Sequence, residues 1–289
     1  MTAVRAWFFR PVPLARVAVF RTLVYLFLPL DMLVISDAGA FHGAAASLYK
    51  PLLIGRLLGH PMPSEALVEV VKWSVIALAL LAAATGRLPR LLGAAVCLLY
   101  LEWLVITFSF GKVDHDRFAF LVALAVLPTV GRSRADDGTL SERAGWAFRA
   151  TQIAVVATYF LSAWAKIRFG GLEWVNSATL VRAVLRRGTA FSKPLLDVPW
   201  VLHLSQWGIM TMELASPALL FVRPRWQVRG VLLLLAFHVV TFASLTIMFW
   251  PHVLCLVGAF LPLERLAGPL RLRPLARLRQ PPETSFSGG

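Results

Sequence analysis

The sequence predicts an all-α fold: a polytopic transmembrane helical bundle of about eight helices plus one interfacial helix. Of its 289 residues, 58% are hydrophobic and 15% are charged, whereas soluble domains average about 45–50% apolar and about 25% charged residues. The apolar residues also lie in long runs, and a helix needs about 20 residues to cross a bilayer. Both observations are typical of a multi-pass membrane protein.

The apolar runs predict eight spans. The first, residues 14–35, follows two arginines and resembles a signal peptide, but it is longer than a signal core and charged residues interrupt it. We therefore expect it to be retained. The other seven runs are separated by loops that contain proline, glycine or charged residues, and they predict spans at 68–86, 91–110, 118–130, 147–166, 200–222, 228–250 and 252–263.

An amphipathic stretch at residues 174–187 lies between the fifth and sixth spans. Val181, Val184 and Leu185 lie on one helical face and three arginines on the other, a pattern that predicts a helix in the membrane interface. No internal repeat or linker divides the chain. We therefore predict one transmembrane domain over residues 1–265, followed by a basic, disordered cytoplasmic tail at 266–289.

The short loops predict the orientation. With a cytoplasmic N-terminus and eight spans, most of the arginines in short loops lie on the cytoplasmic side, as the positive-inside rule requires. Loops 111–117 and 166–193 then lie on the outer face. The second of these loops carries six basic residues, which is an exception to the rule and draws attention to the outer face.

The formal net charge of +14 does not indicate nucleic acid as a partner. The arginines lie in short groups between apolar runs, and no basic stripe with interleaved aromatic residues is present. The lipid bilayer, with anionic lipid on the cytoplasmic face, is the expected partner. Cys97 and Cys255 lie in separate apolar segments without CxxC spacing, so we interpret them as buried small hydrophobic residues, and no metal site is predicted.

A candidate site lies at the outer end of the fifth span. Lys166 stands there, followed by Arg168, Gly170-Gly171 and Trp174. In one interpretation the ammonium snorkels to the lipid head groups. In the other it acts as a base, because loss of water around a lysine favours its free amine. His115, in loop 111–117, lies on the same face and can meet Lys166.

Four ionisable residues lie well inside the predicted spans, namely Arg21, Glu102, Glu213 and His238. At about 1.5 Å rise per residue the last three share a similar depth. Charge at that depth costs several kcal/mol unless it is paired, so we expect mutual hydrogen bonds in a buried polar layer. Pro217 lacks the N–H that would bond the carbonyl of Glu213, which predicts a free acceptor there. A structural network and an ion or proton relay both fit this layer.

Three further histidines lie near the predicted membrane surfaces. His203, at the outer start of the sixth span, is a candidate for the outer site, together with Arg168 and Trp174. His60 and His252 are interpreted as ordinary interfacial residues. Histidine is a common hydrogen-bonding and acid–base group, so the position of each ring relative to Lys166 decides whether it belongs to the site.

With these segments in place the chain resembles the HTTM (horizontally transferred transmembrane) domain family, which includes the membrane part of vitamin K-dependent gamma-carboxylase. The similar features are Tyr159-Phe-Leu-Ser-Ala-Trp-Ala-Lys166 followed by Trp174, His115 with a span ending in Leu127-Pro128, and Glu213-Leu-Ala-Ser-Pro217. The resemblance covers about residues 10–265. The sequence departs from the carboxylase at Arg168, where an acidic residue is expected, and a longer connection leads to Trp174.

The resemblance implies specific roles. Lys166 would be the base that starts oxygenation of a quinol, and His115 would assist it. Beside these roles, we predict that Arg168, Trp174 and His203 at the outer site bind a quinone or quinol cofactor. It implies a quinol-dependent oxidoreductase or carboxylase-like enzyme of the bacterial inner (cytoplasmic) membrane, acting on a quinol or other lipophilic substrate and served by a soluble redox protein.

Relatives similar to sporulation-delaying protein B imply an alternative. In that interpretation the chain is a non-catalytic membrane partner in the maturation or export of a secreted peptide. A transporter that uses the carboxylates inside the membrane ranks below both, because the sequence has no repeat and no second broken helix of the kind that transporters use.

Overall fold

The computed structural model describes residues 2–36, 46–86, 88–111 and 113–267. Helices make up 78% of the structure, which confirms the all-α class. Four of them are long and apolar enough to cross a membrane, namely Leu14–Ile35, Glu65–Thr85, Pro89–Phe108 and Pro224–Leu245. The chain is thus a helical membrane protein, and the count of eight spans stays a prediction. Nearly all of the predicted tail lies outside the described residues.

The chain forms helices of different lengths, short helical turns and two short strands. The first half contains α1 (Ala3–Phe8), β1 (Val12–Pro13), α2 (Leu14–Leu30) continuing as a π-helical turn (Asp31–Ile35), a 3-10 turn (Ala46–Leu48), α3 (Leu53–Leu57), α4 (Glu65–Thr85), α5 (Pro89–Phe108), a 3-10 turn (His115–Arg117), α6 (Phe118–Val126) and a 3-10 turn (Leu127–Val130). The second half contains β2 (Leu140–Ser141), α7 (Glu142–Gly170), α8 (Glu173–Asn176), α9 (Thr179–Arg187), a 3-10 turn (Lys193–Asp197), α10 (Pro199–Ala215), a 3-10 turn (Ser216–Leu220), α11 (Pro224–Leu245), α12 (Trp250–Phe260) and α13 (Glu264–Ala267).

Capping residues explain where the long helices begin. The Ser64 hydroxyl accepts a hydrogen bond from the backbone N–H of Leu67 and starts α4. Ser141 does the same for Ala144 and starts α7. Such caps satisfy N–H groups that have no partner inside the helix. Both helices therefore begin before the apolar runs that were used to predict them.

Helix α7 is longer than the predicted span 147–166. It has 29 residues and continues without a break from Glu142 through Lys166 to Gly170. It ends where Gly171 adopts a φ of 56°, a conformation that favours glycine. Lys166 therefore lies within the helix, one turn before its end, and its side chain is directed by helical geometry.

The predicted interfacial helix and the predicted span 228–250 both break earlier than expected. The first is divided into α8 and α9, and on its predicted apolar face Val184 is buried against the bundle while Leu185 is 68% exposed. The second ends at Leu245, where Thr246 adopts a left-handed φ of 55°. The chain then returns into the bundle as α12.

Contacts between loops define the two ends of the bundle. At one end β1 pairs antiparallel with β2, with Val12 opposite Ser141. At the other end the Lys50 N–H donates to the Ser109 carbonyl at 2.6 Å. Helix α7 joins the two ends: Lys166 lies 24 residues after Glu142, which at 1.5 Å per residue is about 36 Å along the axis.

The main core lies between α2, α4, α5, α6, α7 and α12. Its largest fully buried side chains are aromatic residues of four of these helices, Phe20, Tyr100, Trp103, Phe120 and Phe148. Two smaller apolar clusters lie beside it. One joins α7, α8 and α10 through Ala163, Val175 and Met210, and the other joins α9, α10 and α11. These small clusters hold α8–α11 around the end of α7 that carries Lys166.

Candidate functional site

A cavity of about 270 Å³ lies between α7, α10, α11, α12 and the 3-10 turn at His115–Arg117. Its size is near the lower end of the range of about 300–1,000 Å³ that is typical of small-molecule sites. Most of its wall is apolar or aromatic. Polar side chains interrupt this wall at three places, and each place draws on a different part of the chain.

The first polar place is an ion pair between Lys166 of α7 and Glu213 of α10. The Lys166 ammonium donates to both carboxylate oxygens of Glu213, at 2.5 and 2.7 Å. It also lies 4.8 Å from the centroid of the Trp174 ring, a favourable cation–π arrangement. The Glu213 side chain is 6% exposed and that of Lys166 is 21% exposed. The ammonium thus contacts a buried carboxylate. Snorkelling would instead require the side chain to extend away from the bundle.

The second polar place lies deeper along α7. The Tyr159 hydroxyl and Nε2 of His238 are hydrogen-bonded at 2.6 Å. The ring of Tyr159 meets the ring of His252 edge-on, with centroids 4.6 Å apart. Tyr159 precedes Lys166 by seven residues, or about two turns, so both side chains project from the same face of α7 at levels about 10.5 Å apart. The cavity therefore has two polar ends along one helix.

Ring nitrogens at this deeper end have no hydrogen-bond partner among the described residues. They are both nitrogens of His252, which is 2% exposed, and Nδ1 of His238. Buried polar atoms in native proteins are nearly always hydrogen-bonded, and one without a partner costs about 1–3 kcal/mol. Both histidines line the cavity, but these nitrogens are themselves buried, so a polar group of a ligand can bind them only if a side chain of the wall moves.

The third polar place is the turn that carries His115 and Asp116, both of which line the cavity. The ring of His115 lies 6.2 Å from that of Phe249, centroid to centroid. Phe249 in turn lies 5.2 Å from His238. Phe249 thus stands between His115 and the deeper histidines and forms an aromatic part of the wall.

A buried ion pair holds this turn in place. Arg117 Nη2 donates to Asp31 Oδ1 at 3.0 Å, and Arg117 Nη1 donates to Asp114 at 3.2 Å. The second oxygen of Asp31 accepts from the Tyr100 hydroxyl at 2.8 Å. Asp31 is fully buried and lies where α2 changes to π-helix. The end of α2 and the middle of α5 therefore anchor the turn that presents His115.

The structure brings five of the predicted site residues to one cavity, namely His115, Lys166, Trp174, Glu213 and His238. Arg168 and His203 do not line it, and both are exposed. Arg168 lies two residues after Lys166, which turns it about 200° around α7, and its guanidinium stacks on Phe169. His203 lies ten residues before Glu213, which turns it about 80° away on α10.

The predicted layer of mutual hydrogen bonds is wrong. Glu102 pairs with His60 Nε2 at 2.8 Å, and neither residue lines the cavity. Arg21 donates to the Gly131 carbonyl at 2.7 Å and to the Ser133 hydroxyl at 3.0 Å. Equal depth along parallel helices does not determine which way a side chain points. Glu102, Arg21 and Glu213 therefore each bind a different part of the chain.

Two local expectations also need correction. The Glu213 carbonyl is not free, because the Ser216 N–H donates to it as α10 tightens into a 3-10 turn before Pro217. His252 is buried inside the bundle, with 2% of its surface exposed. His60 is also not an ordinary surface residue, because it pairs with Glu102. The prediction for His252 failed because the sequence did not show that α11 stops at Leu245 and that α12 packs back into the bundle.

Sequence reasoning missed the contribution of Tyr159, His252 and Asp116 to the site. Tyr159 had a readable signal, since its seven-residue spacing from Lys166 places both on one helical face. Asp116 is adjacent to His115 in a short turn. His252 had no local signal, because its position depends on how α12 packs against α7 and α11.

The cavity offers chemistry based on proton transfer and hydrogen bonding. Within the described ranges, no group of three or more histidine, cysteine, aspartate and glutamate residues is arranged to hold a metal ion. The site instead combines an ammonium–carboxylate pair, partnerless imidazole nitrogens and aromatic walls. No protein-family model, curated protein or solved structure matches the chain.

Proposed function

We propose that this chain is a membrane-embedded enzyme of the HTTM type that acts on a quinol or another lipophilic substrate in the bacterial inner membrane. One observation carries the proposal: an ion pair that can exchange a proton and a second hydrogen-bonding group line one mostly apolar cavity. The resemblance to the gamma-carboxylase membrane domain supports the same substrate class.

Lys166 and Glu213 are suited to supply a base. Their ammonium–carboxylate form and their amine–carboxylic acid form contain the same protons and differ by one proton moved across a 2.5 Å hydrogen bond. Loss of water around both charges brings the neutral form closer in free energy. The Lys166 amine then accepts a hydroxyl proton from the substrate, which leaves an ammonium beside the substrate oxyanion and stabilises it.

The spacing of the two polar ends supports an aromatic substrate with two opposed oxygens. In a para-dihydroxy ring the oxygens lie about 5 Å apart, as follows from ordinary bond lengths. One hydrogen bond of about 2.8 Å at each end extends this to about 11 Å. Tyr159 and Lys166 leave α7 at levels about 10.5 Å apart along the helix axis, which is a spacing of the same order. The imidazoles of His238 and His252 would bind the second oxygen, and Phe237 and Phe249 line the wall beside the ring.

The predicted orientation places this cavity toward the outer leaflet. The eight predicted spans with a cytoplasmic N-terminus leave loops 111–117 and 166–193 on the outer side. Lys166 lies about 36 Å along α7 from the end at which β1 meets β2, and His115 lines the same cavity. A substrate dissolved in the membrane can then enter laterally while its polar ring stays near the outer surface.

The test replaces Lys166 by arginine. Lys166→Arg keeps the positive charge beside Glu213, but the guanidinium does not give up its proton at working pH. We expect binding of a short-chain quinone, measured by equilibrium dialysis in detergent, to change by less than about threefold. Activity in cells, read from the phenotype of a deletion at matched membrane levels, should fall by about 10²–10⁴-fold, the usual share of acid–base catalysis.

Arg168→Lys is the matched control, because it exchanges the same two side chains two residues away, outside the cavity. It should leave binding and activity unchanged. Full activity in Lys166→Arg would overturn the enzyme and support the alternative, a non-catalytic partner for a secreted peptide. A protein that retains Lys166 but binds no quinone would instead point to a different lipophilic substrate.

A further inference from the structure

A second concave site lies at the opposite end of the bundle from Lys166. It is a groove of about 350 Å³ between the end of α10, the 3-10 turn Ser216–Leu220 and the first turns of α11. Its lining is apolar except for one side chain, Arg229, and no carboxylate lines it. We refer to it as the α10–α11 groove.

Small residues create this groove. Ala215 and Ala218 line one side, and Gly230 of α11 lines the other. A Cβ on Gly230 would overlap the side chain of Leu219, so the glycine allows the 3-10 turn to approach α11 closely. Beside this close contact, Ala215 and Ala218 leave the channel of the groove, and Leu233 extends its apolar wall along α11.

A basic and aromatic edge stands at the outer rim of the groove. The Arg229 guanidinium lies over the Trp226 ring at 4.6 Å from its centroid. Arg225 lies one turn earlier, in the first turn of α11, and Arg223 is the N-cap residue of this helix. Within the part of the chain that the structure describes, none of the three arginines forms a salt bridge. The sequence has no aspartate or glutamate between Glu213 and Glu264.

The neighbouring element strengthens this positive character. The Trp7 ring of α1 stacks on Phe221, with centroids 5.5 Å apart, and the Arg149 guanidinium lies 4.1 Å from the centroid of Trp7. Tryptophan and arginine beside an apolar surface are typical of the depth at which a bilayer changes from head groups to acyl chains.

We propose that the α10–α11 groove binds an anionic glycerophospholipid. Its phosphate would contact Arg229 with Arg223 and Arg225, and an acyl chain would lie along the channel toward Leu233. Arg229 lies five residues into α11, about 7.5 Å from its start, and Leu233 about 6 Å deeper. This succession from basic rim to apolar channel matches the succession from phosphate to acyl chain in a lipid.

Charge favours a lipid over a second copy of the chain. A two-fold symmetric contact places the same patch of each copy against the other. The interface would then contain six arginines without acidic partners, and like charges brought together in this way are unfavourable. An anionic head group neutralises the same arginines, and basic pockets between transmembrane helices are known to bind such head groups.

The proposal is independent of the chemistry at Lys166, and its test uses the full chain in detergent. Native mass spectrometry would count retained phosphatidylglycerol and phosphatidylcholine with identical acyl chains, offered as an equimolar mixture. We expect preferential retention of one phosphatidylglycerol. Arg229→Gln should lower that preference about fivefold, because one arginine near an anionic surface contributes roughly that factor. Arg229→Lys should keep most of it.

Two further variants separate the groove from general surface charge. Ala218→Leu should fill the channel and lower retention of both lipids while the melting temperature stays within the range of the arginine variants. Arg168→Gln, at the other end of the bundle, should change nothing. Equal retention of both lipids by the parent protein, or an unchanged preference in Arg229→Gln, would overturn the site and leave ordinary boundary lipid only. A dimer that phosphatidylglycerol dissociates would identify a second copy as the occupant.

Discussion

Two ion pairs among the described residues, Asp31–Arg117 and Lys166–Glu213, have different surroundings. Asp31 and Arg117 are both nearly inaccessible, and the two oxygens of Asp31 accept from two different donors, Arg117 and Tyr100. In the pair of Lys166 and Glu213, one ammonium serves both carboxylate oxygens and lies on a cavity wall. The Asp31–Arg117 pair is thus enclosed by protein, whereas the Lys166–Glu213 pair borders a cavity.

The difference indicates what each pair does. A buried pair with a separate donor for each carboxylate oxygen restricts three chain segments to one geometry, and it gains nothing from exchanging a proton. A pair at a cavity wall can be reached by a ligand, and either partner can change its protonation state during a reaction. We therefore interpret the first pair as the anchor of the His115 turn and the second as the reactive group.

The largest effect on stability is expected at Asp31. Asp31→Asn keeps the shape of the side chain but removes the most deeply buried counter-charge of the Arg117 guanidinium and leaves it with Asp114 and Asp116. Removing one partner of a buried pair costs about 3–5 kcal/mol, and unfolding in detergent followed by circular dichroism would measure it. Asp136→Asn is the matched control, since its pair with Arg134 is exposed and should contribute less than about 1 kcal/mol. Equal stability of the two variants would show that the anchor is not needed.

A smaller loss of stability, with a larger loss of function, is expected at Glu213. Glu213→Gln removes the charge, but the Lys166 ammonium is partly exposed and lies against Trp174, so we expect a cost of about 1–2 kcal/mol. Activity should fall as far as in Lys166→Arg, because the proton no longer has a carboxylate to move to.

Glu102→Gln provides the control for this comparison. It makes the same change in another paired helical carboxylate, whose partner His60 lies outside the cavity. Its effect on stability should be similar and its effect on activity small. If both glutamine variants lost activity equally, the distinction between a cavity pair and other buried pairs would fail.

The sequence predicted the helices far better than the partners of their polar side chains. Apolar runs are local, so α4, α5 and α11 lie close to their predicted positions, and the Ser64 cap accounts for the earlier start of α4. The pairing of Glu213 with Lys166 depends on how α10 is rotated against α7. Depth along a helix leaves that rotation undetermined, which is why a mutual layer with Glu102 was expected instead.

The same limitation applies to the deeper end of the cavity. His252 reaches Tyr159 only because α11 stops at Leu245 and α12 turns back into the bundle. The stop occurs at Thr246, a residue type that gives little warning of a left-handed conformation. The Tyr159 to Lys166 spacing, by contrast, was present in the sequence as two turns of one helix and indicates where the second end of the site lies.

The smallest effect on stability is expected at His252, and it separates binding from folding most clearly. Its two ring nitrogens have no partner among the described residues, so His252→Leu removes polar atoms that stabilise nothing in the protein alone. Stability should not fall, because unpartnered buried nitrogens are unfavourable in the parent protein, whereas His60→Leu, the matched control, leaves Glu102 unsatisfied and should cost about 1–3 kcal/mol.

Ligand binding should respond in the opposite order. Losing one hydrogen bond to a bound quinone in His252→Leu should weaken binding about tenfold, and His60→Leu should leave it unchanged, as equilibrium dialysis would measure. If His252→Leu bound quinone as tightly as the parent protein, the second oxygen would not lie at this end of the cavity. The two polar ends of the cavity would then have to bind different ligands, because the His252 imidazole and the Lys166–Glu213 pair would no longer share one substrate.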